Sequence, residues 1–170
     1  MFVIIQREDA LMPETLGKSA AKIQEELNKY GLQLKVVTMN SSTRTCVEAA
    51  NTIGCEVGQI VKSMIFRGKT TGIPILIVAS GDNRINEKRM KEYLGEAVSR
   101  PDADFVQEVT GFAIGGIPPV GHANKITCFI DEDLFKYQEI WAAAGTPFDV
   151  FRLTPDQLTA ITHGQIISVK

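Results

Sequence analysis

Leu16, Ala20, Ile23 and Leu27 recur at three- and four-residue intervals and Gly31 follows, which predicts a helix over 14–30 with glycine as its stop. LQLKVV then reads as a strand, and STRTCVEAANTIG as a helix. In that helix Thr45 and Glu48 have capping-box spacing and Gly54 closes the segment. QIVKSMIFRG and IPILIVASG read as two strands, and the near-continuous apolar run of the second predicts burial on both faces. A basic helix from Asn86 to Leu94 ends at Gly95, and a short helix spans 102–109. KITCFID, DVFRL and QIISV are further strands, whereas DLFKYQEIWAAAG fits either a strand or a helix. TPDQLTAITHG reads as a helix with Thr154 as N-cap, Pro155 at its first position and Gly164 at its end. This irregular alternation favours a mixed sheet wrapped by helices over a regular doubly wound sheet. No GxGxxG follows a strand, and there is no phosphate-loop GxxxxGK signature.

Two places break the pattern. Alternation in QIVKSMIF puts Ile60, Lys62, Met64 and Phe66 on one face and Val61, Ser63 and Ile65 on the other. An unpaired buried ammonium is costly. Lys62 therefore either snorkels to water from an edge or points into a pocket where an anion meets it; Ser63 reads as structural. The second place is TGFAIGGIPPVGHAN, which is neither helix nor regular strand. Gly115 and Gly116 permit unusual backbone angles, and Pro118 and Pro119 fix φ and lack an N–H. The segment is a stiff loop, either a connector or a functional element. Facing Lys62, its bare amides would make an anion-ready cleft.

The length, 170 residues, fits one domain with a substantial core, and the 44% hydrophobic and 22% charged content is that of an ordinary globular protein. No apolar run approaches a bilayer span and MFVII is too short for a signal peptide, so a cytoplasmic protein is expected, with no membrane contact. The net charge of −2 excludes a bulk polyanion binder. Yet Lys62 to Gly95 holds seven basic against three acidic residues, a local positive region suited to a few phosphates or to a solvated helix face. Cys46, Cys55 and Cys128 form no CxxC pair, and with His122 and His163 they show no zinc-ligand spacing; they read as buried apolar residues, and no metal is expected.

Taken in order, GCEVGQIVKSMIFRG, IPILIVASGDNRIN, TGFAIGGIPPVGHANKITCFIDEDL and PFDVFRLTPDQLTAI resemble the YbaK/prolyl-tRNA-synthetase editing-domain family of aminoacyl-tRNA deacylases. The resemblance covers roughly Leu34 to Val169. It implies an α/β (α+β) fold of YbaK type, with a mixed, curved sheet surrounded by helices; the chain is read as a single compact domain, 1–170, with residues 1–30 as an N-terminal helical extension. It implies a free-standing, trans-editing hydrolase that cleaves the ester of a small amino acid on tRNA(Pro) or a related tRNA, without cofactor or metal. In the family the strand lysine, here Lys62, helps hold the 3′-terminal nucleotide. The GxxxP loop matches Gly115, Gly116, Ile117, Pro118 and Pro119, with Gly121 and His122 following, and surrounds the ester with backbone amides. Asp131 matches the aspartate of the FID strand. Pro118 stands where relatives often carry a small polar residue.

The residues fit that chemistry: ester hydrolysis develops negative charge that preorganised N–H donors stabilise. His122 is either a base or a loop anchor, and without a serine or cysteine triad a substrate-assisted water attack is preferred. Ser80, Gly81 and Asp82 form a turn or a nucleotide contact. Arg84, Lys88, Arg89 and Lys91 suit backbone contacts to an acceptor stem. The expected partners are the aminoacyl-tRNA 3′ end and an aminoacyl-tRNA synthetase that lends specificity. The competing readings are a non-catalytic module binding aminoacylated tRNA ends or nucleotides, and a hydrolase of another small ester or amide.

Overall fold

The computed structural model describes residues 15–170, so residues 1–14, which include the first residue of the expected first helix and the beginning of the expected extension, lie outside the described residues. The helix itself is α1, Lys18–Asn28, and its stripe of Ala20, Ile23 and Leu27 is fully buried. Helix α2, Cys46–Ile53, opens with the expected capping box: Thr45 Oγ1 accepts from the Glu48 N–H at 3.1 Å, and the Glu48 carboxylate accepts from the Thr45 N–H at 3.3 Å. Such a cap is worth about 1 kcal/mol. Helices α3 (Glu87–Leu94), α4 (Ala103–Thr110) and α5 (Pro155–Thr162) are capped by Asn86, Asp102 and Thr154.

The strands are β1 (Val36–Thr38), β2 (Ile60–Gly68), β3 (Pro74–Ser80), β4 (Val98–Ser99), β5 (Thr127–Asp131), β6 (Ile140–Ala143), β7 (Asp149–Leu153) and β8 (Gln165–Ile167). They form one mixed sheet in the order β1-β7-β6-β2-β3-β5-β8, with β4 added to β2. The antiparallel pair β2–β3 is its centre, and β6 and β5 flank that pair in parallel. Every residue of β3 from Ile75 to Ser80 is buried, as its apolar run predicts. Leu76 and Val78 pack on one side with Ile23, Leu27, Leu134 and Phe151. Ile75, Ile77 and Ala79 pack on the other with Phe66, Met90 and Phe129. Each large aliphatic side chain buried in this way contributes about 1.5–3 kcal/mol.

One interruption in the ladder positions the site. β2 pairs with β6 only at Ile60–Trp141 and Val61–Ala142, and with β4 only at Arg67 and Gly68. Between these points Lys62 to Phe66 have a strand partner on the β3 side alone.

Two local expectations are refined, and one strand, β4, is additional to those expected. DLFKYQEIWAAAG is both a helix and a strand: a 3-10 helix, Glu132–Lys136, precedes β6. The Asp131 side chain starts that helix by accepting from the Asp133 N–H at 3.0 Å, and β7 captures the following residues. Helix α5 is closed by His163 in the left-handed conformation (φ 53°), not by Gly164. A Cβ on Gly164 would fall 2.7 Å from Ile130 Cγ1, so that glycine serves close packing. Strand β4 has too few residues to show a period.

Candidate functional site

Lys62 projects from the unpaired stretch of β2 into a cavity of about 370 Å³. Gly115, Ile117, Arg44 and Cys46 line the same cavity. Lys62 is half-buried, and its Nζ donates to the main-chain carbonyl of Asn83 at 2.6 Å. Among the described residues the ammonium has no carboxylate partner, and it keeps hydrogens for an anionic ligand.

The peptide that receives Lys62 belongs to the turn after β3, which is held from below. The Asn83 side-chain amide donates to Asp131 Oδ2 at 2.8 Å and to Asp133 Oδ2 at 2.7 Å. Asp131 Oδ2 also accepts from the Ser80 N–H at 3.0 Å. Asp131 is 0% exposed and Ser80 1%, so both shape the turn from inside instead of meeting solvent. The Ser80 hydroxyl shares its single hydrogen between the Gly58 carbonyl (2.6 Å) and Asp82 Oδ1 (2.9 Å). Asp82 itself is exposed. The Lys136 and Lys170 amines and the Asn83 amide hold the Asp133 carboxyl well below the usual carboxylate range.

The Gly/Pro loop contributes Ile114, Gly115 and Ile117 to the lining. Gly115 has φ 103°, and a Cβ there would lie 3.0 Å from Arg44 Cγ. Gly116 turns away: its N–H donates to the Ala113 carbonyl at 3.4 Å and its carbonyl accepts from the Gly145 N–H at 2.9 Å. A Cβ on Gly116 would fall 2.8 Å from three backbone atoms of Thr146. Among the described residues, the Gly115 and Ile117 N–H groups have no backbone acceptor.

The other loop residues lie elsewhere. Pro119, Gly121 and His122 line a second cavity of about 700 Å³, bordered also by Cys128 and His163. His122 Nε2 lies 2.7 Å from the Pro118 carbonyl, so that nitrogen carries the hydrogen and donates it. Burial pushes the imidazole below its ordinary value, against the raising effect of the Pro118 bond. A Cβ on Gly121 would meet Ile23 of α1 at 2.8 Å. Arg84 and Lys88 are exposed and border a separate surface groove with Arg100 and Lys170.

Two residues of the site, Arg44 and Asn83, escape the sequence reading. Arg44 sits in a polar stretch without periodicity, and only its packing on Gly115 brings it to the cavity. Asn83 follows a Ser-Gly-Asp turn signal, but its acceptors are 48 and 50 residues away. Burial raises the Cys46 thiol, with Lys62 pulling the other way, so the thiol stays protonated. Among the described residues no group of three or more His, Cys, Asp or Glu could hold a metal, and no helix is long and apolar enough to cross a membrane.

Comparison with known proteins places this geometry in a family context. The family model for the aminoacyl-tRNA editing domain matches residues 40–161. A solved structure described as "a putative trans-editing enzyme for prolyl tRNA synthetase" superposes with a TM-score of 0.86 at 44% identity, covering 92% of this chain and 99% of that one. The uncharacterized protein YwhH of Bacillus subtilis (strain 168) is 30% identical over 87% of this chain and 94% of its own length. The proline–tRNA ligase of Thermosipho africanus (strain TCF52B) is 31% identical over 68% of this chain, a stretch that makes up 20% of the ligase.

Proposed function

Since the chain belongs to the aminoacyl-tRNA editing domain family, we propose that it is a free-standing deacylase that hydrolyses the ester of a mischarged aminoacyl-tRNA. The observation that carries this reading is the cavity shared by Lys62 and Gly115, where loop amides have no backbone acceptor among the described residues. Lys62 holds the phosphate end of the terminal nucleotide, and the Asn83 carbonyl fixes the direction of its ammonium. The ester carbonyl lies toward the loop. Water attacks its carbon, the oxygen gains negative charge, and the Gly115 and Ile117 N–H groups stabilise that charge. The C–O bond to the ribose then breaks, and the ribose oxygen leaves with a proton. Gly116 spends its N–H within the turn and Pro118 and Pro119 have none, which leaves Gly115 and Ile117 as the donors of the stretch from Gly115 to Pro119.

No protein base is assigned. His122 borders the other cavity and donates its Nε2 hydrogen to the loop, and the Cys46 thiol is protonated. The substrate's own vicinal hydroxyl or amine orients the water, so catalysis rests on positioning. Asp131 is a positioning residue that acts through Asn83. The exposed Arg84 and Lys88 guide the acceptor stem without reading its sequence. A synthetase partner supplies the tRNA, and the site of action is the cytoplasm.

The deciding experiment is deacylation of a panel of small amino acids charged on tRNA(Pro) and other tRNAs. Accelerated release of one or more amino acids is expected. Protection of the ester without release would instead identify a binding module, and cleavage of small esters independent of the tRNA a general hydrolase.

A further inference from the structure

Arg44 brings a second cation to the cavity that holds Lys62 and Gly115. Its backbone is pinned on both sides. Thr43 is buried and bonds the Pro147 carbonyl through its N–H at 2.7 Å and its hydroxyl at 2.8 Å. Thr45 is tied into the capping box of α2, and the Arg44 N–H donates to Ser42 Oγ at 3.2 Å. The side chain, by contrast, is exposed. Among the described residues its guanidinium has neither an ion-pair nor a hydrogen-bond partner, so its N–H donors are open to a ligand. The side chain lies against the loop. A Cβ built on Gly115 would fall 3.0 Å from Arg44 Cγ, 3.5 Å from Cδ and 3.3 Å from Nε. Nε belongs to the guanidinium, so the charge sits beside a glycine whose own N–H has no backbone acceptor. Among the described residues no aspartate or glutamate lines this cavity.

We propose that Arg44 is a catalytic residue, whose guanidinium donates to the ester carbonyl oxygen as that oxygen gains negative charge beside the Gly115 N–H. The proposal rests on the editing reading of this cavity. When water adds to the carbonyl carbon, the π electron pair moves onto the oxygen, and Arg44 meets it without giving up a proton. The pair then re-forms the double bond, and the C–O bond to the ribose breaks with its electrons on the ribose oxygen. That oxygen takes one proton of the water, and the released carboxylic acid loses the other to solvent. A hydrogen bond from a charged donor is roughly twice as strong as one from a neutral amide. The ground-state carbonyl is neutral, so the added strength acts on turnover more than on binding. Because the guanidinium is exposed and partly screened, its worth lies toward the lower end of the about 10²–10³-fold typical of one such donor.

The test compares the wild type, Arg44→Ala and Arg44→Lys on aminoacyl-tRNA and on 3′-O-aminoacyl-adenosine, which has no phosphate, each carrying the amino acid released fastest in the panel. Arg44→Ala is expected to lower kcat about 10²-fold on both substrates, with KM little changed. Arg44→Lys is expected to recover part of the loss, since it restores the charge without the planar fork. Calorimetric affinity for 3′-alanylamido-3′-deoxyadenosine, whose amide carbonyl stays neutral, should be the same in the wild type and Arg44→Ala. Wild-type kcat in Arg44→Ala, a loss confined to KM, or affinity for the amide analogue lost in step with kcat would each overturn the proposal. So would a loss seen on aminoacyl-tRNA alone, which would make Arg44 a phosphate contact. A wild type that releases no amino acid from any tRNA would overturn the hydrolytic reading and this proposal together, whereas an active wild type with an unimpaired Arg44→Ala would overturn the proposal alone.

Discussion

Lys62 Nζ and the main-chain oxygen of Asn83 lie 2.6 Å apart, so this ammonium is aimed by a peptide carbonyl. A carboxylate in that place would compete with an anionic substrate, whereas a carbonyl orients the ammonium and leaves its charge uncancelled. Lys62→Ala is expected to lower deacylation severely, because the terminal nucleotide loses its charged anchor, with an unchanged circular dichroism spectrum. Turnover at the wild-type level would remove Lys62 from the site.

Asp131 supports that carbonyl at one remove. Replacing it with alanine strips acceptors from the Ser80 N–H, the Asn83 amide and the Asp133 N–H together. Urea titration of Asp131→Ala should show a loss of about 2–4 kcal/mol, since each buried donor left unpaired carries its own penalty. Deacylation should fall through kcat, because Asn83 no longer holds Lys62 in place. A variant as stable as the wild type would mean that the turn has other supports.

The two glycines of the loop should respond differently to a methyl group. At Gly116 the new Cβ meets backbone, 2.8 Å from three atoms of Thr146, and nothing can yield without moving the loop. At Gly115 it meets the flexible stem of Arg44 at 3.0 Å, and the main cost is the left-handed φ of 103°. Such backbone strain is worth about 1–3 kcal/mol. Thermal unfolding should therefore rank Gly116→Ala as the less stable variant, while Gly115→Ala remains folded but impaired in deacylation. The opposite ranking would contradict this packing.

His122 gives the protein an acid sensitivity of known sign. Burial favours the neutral ring in the folded state, with a smaller opposing effect from the Pro118 bond and a further lowering by Lys22. As pH falls below about 6.5 the unfolded chain takes up this proton first, so stability declines until the folded form is protonated too. His122→Asn should flatten the decline in urea midpoint across that window and leave the pH profile of deacylation unchanged. Loss of a limb of the activity profile would instead assign His122 a catalytic proton.

Much of the fold was legible because its signals are local. The capping box of Thr45 and Glu48, the Thr154-Pro155 start of α5 and the apolar run of β3 each lie within a few adjacent residues. For the site, Lys62 was conspicuous as a charge in an apolar strand, and Gly115 as part of a Gly/Pro cluster. What stayed hidden depends on tertiary partners. Asn83 gains its place from Asp131, and the two residues of β4 acquire a strand conformation only beside Arg67 and Gly68. Alternation along β2 holds in the fold, with Val61 and Ile65 in one core cluster and Phe66 in the other. The loop read as one unit divides in space, with Gly115 and Ile117 at one cavity and Pro119, Gly121 and His122 at another.

Charge reversal at Arg84 and Lys88 tests the outer surface separately. Arg84→Glu with Lys88→Glu should raise KM for aminoacyl-tRNA about tenfold at low salt and less at high salt, as lost phosphate contacts do. Cleavage of an aminoacyl-adenosine should be unaffected, since both residues border a different groove from Lys62. An equal loss on both substrates would place them in the chemistry.

The parting of β2 from β6 after Val61 separates two jobs that a continuous ladder would force on the same residues. Tension between what keeps a domain upright and what it grips is relieved at such a seam. Descendants of this chain could retune their cargo by exchanging residues along the slit, while the central hairpin and the paired ends of the strands stay as they are.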